Sequence, residues 1–86
     1  MKLKKLEKMN KQNQHLIKLI KDLCLIPGLS GYEDEVRKYI KEKLKQLDLK
    51  YQTDVIGNLS CTLKGNSKLP SVMIFAHMDQ LGFVIK

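Results

Sequence analysis

The residues best suited to chemistry in this chain are a histidine and an aspartate near its C-terminal end, His77 and Asp79. They follow an unbroken apolar run at residues 72–76, which is typical of a strand buried on both faces. Residues two apart on an extended chain share a face, so the imidazole and the carboxylate can project together from the end of this strand. The carboxyl ends of strands are where open α/β sheets place their sites.

This spacing is compatible with a metal site. A histidine that binds a metal is usually held in one tautomer by a carboxylate that accepts a hydrogen bond from its other nitrogen. His77 and Asp79 fit that arrangement, or one in which the two side chains lie side by side and face different partners. The spacing alone is a weak signal, because a solvent-facing histidine followed by an aspartate in a turn gives the same pattern. The other histidine, His15, lies in polar, lysine-rich sequence and is predicted to be a solvated surface residue.

Two helices are predicted before this site. An apolar stripe from Leu16 to Cys24 indicates an amphipathic helix that stops at the Pro-Gly pair of residues 27–28, and the lysine-rich residues before it can extend it backwards. Ser30 and Glu33 have the spacing of a capping box, which predicts that a second helix begins there. The acids at 33–35 suit the positive end of that helix better than they suit a cation site. Its predicted buried face consists of Val36, Ile40, Leu44 and Leu47.

After the second helix the apolar period changes from helical to alternating. Residues 49–55 and 59–63 both alternate and are separated by Gly57-Asn58, which predicts an antiparallel strand pair joined by a turn. The core strand at 72–76 follows, and a further strand is predicted to begin near Gly82. The fold class is therefore predicted to be α/β, with two helices, an antiparallel strand pair and a core strand.

Composition and charge limit the classes of function. The 86 residues carry a formal net charge of +7, and the excess lies in a basic N-terminal segment, since residues 1–21 contribute +6 and the remainder +1. No apolar run approaches the roughly 18 residues of a membrane span, and a polar stretch stands where a secretory signal needs apolar residues. We therefore expect a cytoplasmic location. Cys24 and Cys61 lie far apart in apolar patterns and are predicted to be small core residues.

The basic segment also allows a second class of function. A small, basic, non-enzymatic binding module could dock on nucleic acid, an acidic membrane surface or an acidic protein. Against this, the lysines are not interleaved with aromatic residues, and Arg37 is the single arginine. We expect neither a nucleic-acid nor a membrane partner, and the module stays the alternative interpretation.

Three spaced motifs resemble one known family. "IPGLSGYEDEVRKYI", then D-x-x-GNL beginning at Asp54, then "IFAHMDQLGFVI" are similar to the N-terminal portion of the M42 metallo-aminopeptidases, which include glutamyl and leucyl aminopeptidases and endoglucanase M-like proteins. The similarity runs from about Leu16 to Lys86. It implies a basic helical extension at residues 1–15 and, at 16–86, the N-terminal portion of a three-layer α/β/α zinc-peptidase catalytic domain.

The resemblance also implies an activity. Members use two divalent metal ions, zinc or cobalt, to activate a water that attacks the N-terminal peptide bond. By this resemblance His77 is a metal ligand, and Asp79 is the catalytic carboxylate that orients it or tunes the metal. Gln80 stands where many relatives have glutamate. The family's other ligands and its general base lie downstream, so the chain is expected to be a truncated peptidase, inactive alone, whose full-length form acts on peptides and assembles as a homo-oligomer.

Overall fold

The structure is a computed structural model, and it describes residues 2–85. Two helices come first, α1 at Lys2–Leu25 and α2 at Asp34–Gln46. Two short strands follow, β1 at Gln52–Thr53 and β2 at Leu59–Ser60. This order confirms an α/β chain with two helices and one antiparallel strand pair. Within residues 2–85, no helix combines the length and the apolar character needed to cross a membrane.

Helix α1 confirms the first predicted helix and shows that it runs back through the lysine-rich segment. Residues 2–25 contain neither proline nor glycine and are rich in lysine, leucine and glutamine, which all favour helix. The helix ends at Leu25 because Pro27 disfavours helical geometry at the residue before it. The helix is continuous across residues 15 and 16, and the proposed domain division there stays a prediction. His15 is exposed, as predicted.

Helix α2 begins later than the capping-box pattern predicts. Its N-cap is Glu33, which makes no side-chain cap hydrogen bond, so the prediction that Ser30 and Glu33 cap each other is wrong. Residues 29–32 form a turn in which the Tyr32 amide donates to the Leu29 carbonyl at 2.8 Å. Gly31 has a φ of +85° in this turn, and Glu33 accepts a hydrogen bond from its amide at 2.7 Å. The turn leaves the Ser30 hydroxyl available to a distant partner.

The small buried centre lies where α2 meets the loop after α1. Among the residues that the structure describes, Val36 is the one buried hydrophobic residue, with 3% of its surface exposed. A Cβ on Gly28 would lie 2.8 Å from the Val36 Cγ2 atom, so the absence of a side chain at Gly28 lets the loop approach the helix. Of the other residues predicted for the buried face of α2, Ile40 and Leu44 are half-buried, while Leu47 is 68% exposed.

The strand pair is shorter than the alternating pattern predicts, and a polar turn closes it. Gln52 pairs with Ser60 and Thr53 pairs with Leu59. Between the strands, Oδ1 of Asp54 accepts hydrogen bonds from the amides of Ile56 at 3.1 Å and Asn58 at 2.8 Å. The Asn58 side-chain amide donates to Oδ2 of Asp54 at 2.8 Å. This turn explains the D-x-x-GN motif as local backbone chemistry.

The turn is fastened to α2 through an arginine. Nε of Arg37 donates to the Gly57 carbonyl at 2.7 Å, and Nη1 donates to Asp34 at 2.6 Å. Gly57 has a φ of +92°, and a Cβ there would lie 2.6 Å from Nη2 of Arg37. The backbone conformation therefore favours glycine at this position, and a side chain there would also displace the guanidinium of Arg37.

The predicted core strand is not formed within the described residues. Residues 72–76 have no regular secondary structure and no strand partner, and Val72, Met73, Ile74 and Phe75 are 85% or more exposed. The strand predicted to begin near Gly82 is likewise not formed in the part described, which ends at residue 85, and Phe83 and Ile85 are exposed. The physical reason is that a strand needs a neighbour, and β1 and β2 pair with each other. The cysteines are also not core residues, since Cys24 and Cys61 are both exposed and free.

We expect the turn at Asp54 to weaken in acid. Hydrogen bonds from Asn58, first from its amide and then from its side chain, lower the pKa of Asp54 from its usual value of 3.8. Because the pKa is lower in the folded turn, its contribution to stability is present above pH 3.8 and is lost as the pH falls through the folded value. A pH titration of the Asn58 amide resonance should therefore have its midpoint below 3.8. This transition should disappear in Asp54→Asn. A midpoint at or above pH 3.8 in the wild-type chain would show that the Asn58 hydrogen bonds do not stabilise the Asp54 carboxylate.

We also predict that the 86-residue chain self-associates. The exposed apolar segment at 72–75 offers unpaired backbone groups and apolar side chains to another copy. Light scattering after size-exclusion chromatography should show assemblies that Ile74→Lys with Phe75→Lys reduces. The matched control is Leu63→Lys with Leu69→Lys, which adds the same charge at exposed leucines outside the run. A monodisperse wild-type monomer with a cooperative thermal transition would contradict this prediction.

Candidate functional site

The two predicted site residues, His77 and Asp79, are in contact. Nδ1 of His77 lies 2.9 Å from Oδ1 of Asp79 and 3.1 Å from the Asp79 backbone carbonyl oxygen. Both of these oxygens are acceptors, so Nδ1 must carry the proton and donate it. In the neutral imidazole the other nitrogen, Nε2, then keeps its lone pair. The His77 side chain is 85% exposed, which leaves Nε2 open to a ligand.

Asp79 is held on both carboxylate oxygens. While Oδ1 accepts from His77, Oδ2 accepts a hydrogen bond from the Ser30 hydroxyl at 2.5 Å. The hydrogen bond from Ser30, followed by that from His77, lowers the pKa of Asp79 from its usual value. Asp79 is therefore ionised at neutral pH, and the stabilisation that its charge gives to both hydrogen bonds is lost as the pH falls through the lowered pKa.

The segment that carries these residues docks on the loop that follows α1. The Gln80 amide donates to the Gly28 carbonyl at 2.7 Å, and Leu29 and Gln80 form an isolated parallel bridge. The Gln80 side chain donates from Nε2 to the carbonyls of Leu23 at 3.0 Å and Cys24 at 3.4 Å. Carbonyls in the last turn of a helix lack partners within the helix, and Gln80 supplies one.

The residue type at Gln80 matters for this contact. The sequence pattern gives Gln80 no role of its own, whereas the structure shows its side-chain amide N–H used as a donor. A glutamate carboxylate has no proton to donate, and it would meet the negative end of the α1 dipole. Glutamine at position 80 therefore favours docking of this segment on α1 more than glutamate would.

A shallow cleft of about 320 Å³ lies beside the contact, at the lower end of the size of ligand pockets. Leu29 and Ser30 line one part, and residues between His77 and Val84 line the rest. No group of three or more histidine, cysteine, aspartate or glutamate side chains is placed to hold a metal in the part of the chain that the structure describes. His77 is thus a single candidate ligand, and its role as a ligand stays a prediction, as does the role of Asp79.

Sequence reasoning identified His77 and Asp79 but missed Ser30 and Gln80 as parts of the site. Ser30 lies 49 residues before Asp79, and the Gln80 side chain reaches carbonyls 57 and 56 residues earlier. No spacing rule relates residues so far apart, and Ser30 already had a local interpretation as a helix cap. A resemblance that includes both the "PGLSG" and the "HMDQ" motifs was the one available signal that these segments belong together.

Comparisons with known proteins agree with this pairing of motifs. The sequence model of the M42 glutamyl aminopeptidase family matches residues 57–86, which include His77, Asp79 and Gln80. The chain is also 34% identical over 74 residues, or 86% of its length, to a protein of Acetivibrio thermocellus named "Putative aminopeptidase". It is 33% identical over 67 residues, or 77% of its length, to the "Glutamyl aminopeptidase" of Lactococcus lactis subsp. cremoris.

The chain belongs to the M42 peptidase family. It covers 22% of the Acetivibrio relative and 19% of the Lactococcus relative, so it spans about a fifth of the length of the curated M42 relatives that it matches. No solved structure shows a significant match to it. The region that matches this peptidase family includes His77 and Asp79, whose side chains contact each other.

The docking of the M42 segment on α1 can be tested through Gln80. Gln80→Glu removes the donor to the Leu23 carbonyl. We therefore expect the free energy of docking to weaken by about 0.5–1.5 kcal/mol, the usual net value of one hydrogen bond. Amide hydrogen exchange at position 80 should then be about twofold to tenfold faster, since the amide is bonded to Gly28. Gln14→Glu on exposed α1 makes the same change of charge and should leave this exchange rate unchanged. Unchanged exchange in Gln80→Glu would contradict the docking contact.

Proposed function

We propose that this chain forms part of the catalytic domain of a metal-dependent aminopeptidase, to which it supplies His77 as one metal ligand and Asp79 as the carboxylate that orients it. The observation that carries the proposal is the hydrogen bond from Nδ1 of His77 to Oδ1 of Asp79, at 2.9 Å. It leaves Nε2 unprotonated on a side chain that is 85% exposed. Family membership and the names of the relatives support peptidase chemistry.

The donor set fits a divalent ion of the zinc or cobalt class. Neutral imidazole is a preferred ligand of such ions, and ligating histidines usually donate their second N–H to a carboxylate, as His77 does. A catalytic zinc needs about three protein ligands and an open position, so the remaining ligands must come from outside the described cluster. When bound, a pair of such ions would supply Lewis-acid polarisation and a water of lowered pKa.

The roles of this chain's own residues follow from their contacts. Asp79 fixes the proton of His77 on Nδ1 and keeps a negative charge behind the imidazole, which increases the basicity of Nε2. The docking of Gln80 on α1 sets the position of the backbone that carries both residues. The cleft beside His77 offers room for part of a peptide substrate.

The exposed apolar residues fit the same proposal. Residues 72–76 become a central strand of a three-layer α/β/α sheet once neighbouring strands pair with them, and residues 82–85 continue that sheet. The whole protein is then a peptide hydrolase of the cytoplasm that assembles as a homo-oligomer. The chain alone, with one candidate ligand, is inactive.

The first test uses the 86-residue chain itself. We expect no hydrolysis of aminoacyl p-nitroanilides with added cobalt, and weak zinc binding at His77 because one imidazole does not fix the geometry of a metal. Calorimetric titration with zinc should show a weak binding response that is lost in His77→Ala. His15→Ala is the matched control and should leave the response in place. Robust turnover by this chain, or zinc binding unchanged in His77→Ala, would contradict the proposal.

The second test uses a longer protein that carries the remaining ligands. There, His77→Ala should remove one of two metal ions per subunit and abolish hydrolysis, as measured by metal analysis and by aminoacyl p-nitroanilide turnover. Asp79→Asn should keep the fold but lower metal affinity or rate by roughly 10–100-fold, the usual effect of losing a carboxylate behind a ligand. Full activity of the His77→Ala protein would remove the role assigned to His77.

A further inference from the structure

Ser30 connects the loop after α1 to the carboxylate of Asp79. Its hydroxyl donates a hydrogen bond at 2.5 Å to Oδ2 of Asp79, an ionised carboxylate. Such charge-assisted hydrogen bonds are stronger than neutral ones. The contact is therefore among the stronger polar interactions between the loop and the segment that carries His77.

The two oxygens of Asp79 have separate partners. Oδ1 accepts from His77 and Oδ2 accepts from Ser30. The torsion that rotates a carboxylate about its Cβ–Cγ bond is broad, so the backbone alone does not fix the plane of the two oxygens. With Oδ2 held by Ser30, the remaining oxygen is presented to Nδ1 of His77. The His77 side chain is 85% exposed, so its restraints are this contact and the weaker 3.1 Å contact of Nδ1 with the Asp79 backbone carbonyl.

The backbone of the segment is held independently of Ser30. The Gln80 amide bonds to the Gly28 carbonyl, and the Gln80 side chain bonds to the Leu23 carbonyl. Loss of the Ser30 hydroxyl therefore frees the Asp79 side chain while leaving the docking of the backbone in place. The two kinds of contact can be measured separately.

We propose that Ser30 is a positioning residue, which acts through Asp79 to hold His77 in the tautomer whose Nε2 accepts a metal ion. The metal-binding purpose of this arrangement rests on the proposed function. The hydrogen bonds from Ser30 and His77 to Asp79 are present without a metal. Ser30 lines the cleft beside His77, but in this scheme its hydroxyl is bonded to Asp79 and does not contact the metal. It fixes a carboxylate that fixes an imidazole.

The test is ¹⁵N NMR of the 86-residue chain labelled only at histidine. His15 and His77 then give the only labelled signals, so the spectrum stays simple in a self-associating chain, and exposed His15 is an internal reference. In the wild-type chain, above the pH at which the imidazole is charged, we expect the proton of His77 on Nδ1. In Ser30→Ala we expect a mixture of both tautomers at His77 and no change at His15.

Two variants act as controls. Ser30→Thr keeps a hydroxyl and should restore the wild-type tautomer. Ser71→Ala removes a hydroxyl from an exposed serine of the same C-terminal region and should have no effect. Zinc should also be titrated into each protein. It should bind His77 several-fold and at most about tenfold more weakly in Ser30→Ala than in the wild-type chain, since about tenfold is the smallest usual effect of losing a group that holds a metal ligand.

Amide hydrogen exchange at Gln80 separates positioning from a merely structural role. If Ser30 positions Asp79, exchange at Gln80 is unchanged in Ser30→Ala while the tautomer of His77 shifts. Fast exchange at Gln80 in that variant would show that Ser30 holds the whole segment, which overturns the inference. An unchanged tautomer in Ser30→Ala overturns it as well.

The outcomes also separate this inference from the proposed function. If the tautomer responds to Ser30→Ala but zinc does not bind His77 in the wild-type chain, Ser30 is confirmed as a positioning residue and the metal role fails. If zinc binds His77 and neither the tautomer nor the affinity responds to Ser30→Ala, the metal role is supported and the inference fails.

Discussion

The candidate site depends on the docking of one extended segment onto the loop that follows the first helix. Polar contacts hold it there: Gln80 to Gly28 and Leu23, and Asp79 to Ser30. A hydrophobic core contributes little to this placement, since Val36 alone is a buried hydrophobic residue in the part of the chain that the structure describes. The position of His77 therefore rests on directional hydrogen bonds, which fix an imidazole more specifically than apolar packing does.

The parts of the structure that sequence predicts correctly depend on neighbouring residues. The helices follow from apolar periodicity and from the absence of proline, and the turn at Asp54 follows from the preference of aspartate, glycine and asparagine for turns. The pairing of His77 with Asp79 follows from their separation by one residue. Each of these features is decided by residues within a few positions of one another.

The features that were missed or wrong are decided by distant partners. A strand at 72–76 needs neighbours that the described residues do not provide, so a strong apolar pattern yields an exposed, unpaired segment. Ser30 had two competing roles, a helix cap and a hydroxyl donor to Asp79, and the turn at Gly31 favours the second. Local pattern gives no means of choosing between a nearby and a distant acceptor for one hydroxyl.

Family membership and the exposed apolar surface lead to one physical picture. The chain spans about a fifth of the relatives that it matches, and it contains a histidine oriented by the carboxylate behind it. The contacts that orient them lie within this chain, so the orientation precedes any metal. We propose that the metal then adds to a preformed pair, which lowers the entropy lost on binding.

The most direct measurement is the position of the His77 proton in the metal-free wild-type chain, followed by addition of zinc. Histidine-selective ¹⁵N NMR should find the proton on Nδ1, and zinc should shift the Nε2 resonance of His77 while His15 serves as the reference. A proton on Nε2 in the metal-free chain, or zinc bound through Nδ1, would contradict the role of Asp79 as the carboxylate that prepares His77 for a metal ion.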